Sequence, residues 1–71
     1  MKKEEANKLV QKLVNVGVRK YEISDAIGVS EYTLSRWLRK DMDEQRKQRF
    51  MAGIELILSE KESLIEALSE H

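Results

Sequence analysis

The stretch Lys20–Leu38, KYEISDAIGVSEYTLSRWL, constrains this chain more than any other part of it. It has the form of two short amphipathic helices joined by a turn. Apolar residues stand at Ile23, Ile27, Val29, Leu34, Trp37 and Leu38, spacings that put them on helix faces turned toward a common interior. The small Ser24 stands where two crossing helices would come closest. Gly28 stands where a tight turn needs a positive φ, which glycine adopts without the steric penalty of a Cβ. Ser30 then precedes the second helix by one residue, a favoured N-cap position.

The flanking sequence extends the helical pattern. Ala6, Leu9, Val10, Leu13 and Val14 recur at helical spacing within a first helix from about Lys3 to Val16. Gly17 reads as its C′ residue, and Val18 as the apolar residue that folds back over that cap. The next two helices are expected over Lys20–Ile27 and from Glu31 to about Lys40. Asp41 and Glu44 have the spacing of a capping box, while Asp43 is a competing N-cap for the same helix start.

Beyond it, Phe50, Met51, Ile54, Ile57, Leu58, Leu64, Ile65 and Leu68 form one broad stripe. On heptads, Met51, Leu58 and Ile65 fall at one seam position, and Ile54, Lys61 and Leu68 at the other. Ser59 and Glu62 offer a second capping box, so this region, 43–69, reads either as one long helix or as two. Gly53 costs about 1 kcal/mol against alanine inside a helix, and its place there implies a close crossing by another helix. With no proline and no strand-like alternation, the expected fold is all-α. It has four to five helices, with the two-helix unit at about 20–39 as its core and a long amphipathic C-terminal helix.

Length and composition narrow the classes further. Seventy-one residues make one domain, 1–71. A chain this short buries only roughly 60% of the surface its unfolded form exposes, so association with a second copy would add stability. There is no cysteine, and the one histidine is the last residue, His71. No metal site, cofactor site or small-molecule site is therefore read from the sequence, nor any cluster with catalytic spacing, so an enzyme is not expected. No apolar run reaches the roughly 18 residues of a membrane span, and the expected setting is the cytoplasm. The formal net charge is zero, but residues 1–40 carry nine Lys/Arg against five Asp/Glu, and residues 41–71 carry four against eight. Such asymmetry fits one face for phosphate and another turned away from it, although two ordinary solvated surfaces would look the same.

On these residues Asn15–Leu38 resembles the helix-turn-helix of the phage repressor and Cro-like family, the lambda-repressor-like fold. The matching positions are Gly17-Val18, Ile23-Ser24, Ile27-Gly28-Val29-Ser30 and Thr33-Leu34-Ser35-Arg36-Trp37-Leu38. They span about a third of the chain. Ser24 replaces a common alanine, and Lys20 stands where glutamine is frequent.

The resemblance implies a small sequence-specific DNA-binding transcription regulator of phage or mobile-element type, with recognition helix 31–40 in the major groove. It places Glu31, Tyr32 and Arg36 at base edges. Lys20, Ser30, Thr33 and Ser35 fall at the sugar-phosphate backbone, and Arg39 and Lys40 lie near it one turn later. The chemistry is compatible: Arg36 can pair with guanine O6 and N7, and Glu31 can accept from a cytosine amino group. The partner implied is double-stranded DNA, bound by a homodimer whose seam would be Met51, Ile54, Leu58, Ile65 and Leu68. Trp37, with Leu34 and Leu38, is expected in the core. The alternative is a protein-binding antirepressor or adaptor that keeps the two-helix unit as a scaffold and uses its acidic C-terminal half.

Overall fold

The computed structural model describes the backbone of residues 1–69 and the side chains of residues 1–60. It is all-α, with α1 (Lys3–Asn15), α2 (Lys20–Ile27), α3 (Glu31–Trp37) and α4 (Glu44–Ser69). The turn chemistry read from the two glycines is realised. At the end of α1, the Gly17 N–H donates to Val14 O at 3.0 Å and the Val18 N–H to Leu13 O at 2.9 Å, with Gly17 at φ 98°. This satisfies carbonyls that the helix end would otherwise leave unpaired. The same pattern closes α2: Gly28, at φ 89°, donates to Ser24 O and Asp25 O, and the Val29 N–H donates to Ser24 O. Ser30 then caps α3, its Oγ accepting the Thr33 N–H at 3.1 Å.

One core joins the four helices. Ala6, Val10 and Leu13 come from α1, Ile23 and Ile27 from α2, Leu34 from α3, and Phe50, Ile54 and Ile57 from α4. Val18, Leu38 and Met42 complete it from the connections. Each large apolar side chain taken fully out of water contributes about 1.5–3 kcal/mol. Ser24 is also buried, and its hydroxyl donates to Tyr21 O at 2.9 Å, so no polar atom is left unpaired there. Val14, on the apolar face read for α1, lies instead near the helix end and is exposed.

The structure corrects two expectations and decides two that the sequence left open. The recognition helix does not run to Lys40: α3 ends at Trp37, and residues 38–40 form a turn in which the Arg39 N–H bonds Arg36 O at 3.2 Å. The chain must turn there because Met42 returns to α1. Its N–H donates to Met1 O, its own carbonyl accepts from the Met1 amine, both at 2.7 Å, and its side chain enters the core. Asp41 does not begin α4; its Oδ1 accepts the Lys3 N–H at 2.9 Å and so serves the start of α1. Asp43 takes the α4 cap, with Oδ1 accepting the Arg46 N–H at 2.8 Å. The C-terminal region is one helix, continuing through Ser59 to Ser69.

The second correction concerns the seam. Ile54 is 2% exposed, packed in its own domain's core, and so is not available to a second chain. Met51 is half-buried against the same core, and Leu58 is exposed. Ile65 and Leu68, with Lys61 and Leu64, lie outside the residues whose side chains are described.

Candidate nucleic-acid interface

The inner face of α3 is fixed by Leu34, which is fully buried, and by Leu38 immediately after the helix. Helical geometry then sends the residues two before and two after Leu34 outward. Those residues are Tyr32 and Arg36, four apart on one face. Tyr32 is 72% exposed, the most exposed of the large apolar side chains among the described residues. The Arg36 guanidinium lies 5.9 Å from the centre of its ring, a cation–π distance worth about 0.5–1 kcal/mol at an exposed site. Both side chains point away from the core, and the fold makes little use of either.

Glu31 is exposed in the first turn of α3, where its carboxylate complements the helix dipole. Ser30 is exposed, but its hydroxyl is engaged twice: it accepts the Thr33 N–H and donates to Thr33 Oγ1, each at 3.1 Å. Thr33 and Ser35 are both half-buried, on opposite flanks of α3. Lys20, at the first position of α2, and Arg39 and Lys40, in the turn after α3, are exposed. Of the residues read as backbone contacts, Thr33 and Lys40 line a groove of about 330 Å³ together with Arg36, whereas Lys20, Ser30, Ser35 and Arg39 lie outside it.

Trp37 differs from its expected place. It is half-buried, with one side packed on the core and the other beneath two arginines of α4. Arg46 and Arg49 place their guanidinium carbons 5.9 and 5.7 Å from the indole centre. Arg49 also reaches the end of α2, its Nη2 donating to Ile27 O at 3.5 Å. Arg46 is held on its other side by Asp43, Nη1 to Oδ2 at 3.0 Å. These two arginines belong to the same basic surface as α3, and the sequence reading missed them. They occur in the acidic half of the chain, and only the packing of α4 beside Trp37 brings them to α3. The available signal was local: both fall in the first two turns after the Asp43 cap, ahead of the acids that dominate later.

Among the described residues, no group of His, Cys, Asp or Glu is placed to hold a metal ion, and no helix is long and apolar enough to cross a membrane. No family model, curated protein or solved structure matches the chain.

Proposed function

We propose that this chain is a small sequence-specific DNA-binding regulator of the phage or mobile-element type, with α3 entering the major groove. The observation that carries this reading is the outward pair Tyr32 and Arg36 on a helix whose opposite face is locked into the core by Leu34. A rigid helix that presents an arginine and an aromatic ring to solvent suits direct readout of base edges. Arg36 takes a guanine, and Tyr32 contacts a thymine methyl or a phosphate. Glu31 accepts from a cytosine amino group. Lys20, Ser30, Thr33, Ser35, Arg39 and Lys40 supply the phosphate contacts that set register without reading sequence. Binding as a dimer would pair two half-sites about 34–36 Å apart.

Selection from a random duplex library at two salt concentrations tests the reading. Enrichment of a defined, two-fold-related motif is the expected result, with affinity falling as salt rises. Recovery of unenriched sequences at both concentrations would refute sequence-specific binding.

A second reading, a protein-binding adaptor, draws on a different surface. Glu22, Asp25 and Glu60 line a groove between α2 and α4 with Leu56, which is 49% exposed. An acidic rim around an apolar side chain suits a basic protein segment better than DNA. Glu60→Lys separates the two readings: it leaves duplex binding intact if the α3 surface is the working one.

A further inference from the structure

We propose that the groove between α3 and the start of α4 is a phosphate seat, which takes a phosphodiester of the nucleic-acid strand beside α3. The source of the phosphate rests on the DNA-binding reading above; the chemistry of the seat does not.

The groove has a volume of about 330 Å³, and Trp37 and Met42 form its apolar base. Lys40 and Arg46 bring two cations to it beside Arg36, whose guanidinium also faces the outer side of α3, and two carboxylates stand against them: Asp41 in the lining and Asp43, paired with Arg46. The Asp41 carboxylate is already committed, because its Oδ1 accepts the Lys3 N–H at 2.9 Å and its charge faces the positive N-terminus of α1. Thr33 adds a hydroxyl. Its oxygen accepts a hydrogen bond from Ser30 Oγ at 3.1 Å, which leaves the Thr33 proton to be donated elsewhere. The lining is therefore rich in donors and positively charged, as a tetrahedral anion requires.

Arg46 is the residue best prepared for this role. Asp43 holds Nη1 at 3.0 Å, and the indole of Trp37 lies 5.9 Å from the guanidinium carbon. Nη2 and Nε remain as donors. A guanidinium restrained in this way loses less freedom on binding than a free lysine does. Arg46 is on α4, so the phosphate would be gripped from a different helix than the one that reads bases. The groove also shares Arg36 with the outer face of α3, so a strand lying against that face would run its backbone past the groove.

Trp37 is the only tryptophan and serves as the reporter. Its fluorescence is followed while wild type, Arg46→Gln, Arg46→Lys and Lys12→Gln are titrated with a short random-sequence duplex over a range of salt, and separately with inorganic pyrophosphate. Circular dichroism confirms that each variant is folded. With duplex, Arg46→Gln should weaken binding and reduce the log–log salt slope by about one, while Arg46→Lys keeps the slope. Lys12→Gln removes an equal charge from α1, outside the groove, and should leave the indole signal at saturation unchanged.

If duplex binds and Arg46→Gln alters neither affinity nor slope, the seat is wrong and the DNA reading stands. If no variant binds duplex but pyrophosphate changes the indole signal of wild type and not of Arg46→Gln, the seat is right and the DNA reading is wrong. If neither ligand changes the indole signal, the seat is overturned.

Discussion

Gly53 of α4 lies against Ile27 of α2 so closely that a Cβ on the glycine would fall 2.5 Å from Ile27 Cγ1 and 3.0 and 3.1 Å from its N and Cα. The last two contacts are with backbone, which cannot rotate away. The crossing of α2 and α4 therefore depends on this glycine, and the position sets how closely α2 sits on the long helix. Gly53→Ala gains up to about 1 kcal/mol in helix propensity but overpacks the crossing, at a cost of about 1–3 kcal/mol. Urea denaturation should show a net loss of stability. A variant more stable than wild type would show that the two helices separate without penalty.

Trp37 contributes to the core through only part of its surface. Trp37→Ala should cost about 2–3 kcal/mol, less than the ~3–5 kcal/mol of a fully buried aromatic. It also strips the stacking surface from Arg46 and Arg49. Thermal melts of the variant check this, and a melt identical to wild type would remove Trp37 from the structural core.

Arg36 should behave as a base contact. Arg36→Ala is expected to cost about 1–3 kcal/mol on the preferred site and to relax discrimination at one base pair. Its neighbour Tyr32 loses only an exposed cation–π contact, so stability should hardly change. If binding falls equally on all sequences, Arg36 touches phosphate alone.

Lys20, Arg39 and Lys40 should act on all sequences alike. Alanine at any one of them lowers affinity uniformly and flattens the salt slope by about one unit. Binding isotherms at several salt concentrations read this directly, and an unchanged slope for all three would place the interface elsewhere.

Dimerisation should depend on the exposed side of α4. Leu58 is 42% exposed, whereas Ile54 is buried in its own domain. Leu58→Asp should therefore separate a dimer into folded monomers, and Ile54→Asp should unfold the domain. Sedimentation with circular dichroism distinguishes these outcomes. A wild type that remains monomeric at tens of micromolar, or a dimer indifferent to Leu58→Asp, would remove α4 from the seam.

What the sequence determined by itself is local in origin. The two glycine caps, the Ser30 cap and the bounds of α2 follow from φ preferences and from hydrogen bonds spanning a few residues, so the chain states them directly. The outward placement of Tyr32 and Arg36 follows from helical periodicity once Leu34 is assigned to the core. The crossing at Gly53 was legible too, because a glycine inside a helix carries a cost that a close contact explains.

The tertiary structure decided whatever depends on partners distant in sequence. Asp41 has the spacing of a cap for the helix that follows it, yet it caps α1, because the pairing of Met1 with Met42 brings the start of α1 beside it. That same pairing, with Asn7 Nδ2 donating to Leu38 O at 2.9 Å, fits a chain that turns after Trp37 and keeps α3 short. Ile54 is a seam residue by heptad spacing, but α4 spends that face on its own core, since a small domain must first bury the apolar surface it has. Arg46 and Arg49 lie in the acidic half of the chain and reach the basic surface only because α4 packs beside Trp37. Charge counted along a sequence is blind to this, since electrostatic interaction depends on separation in space.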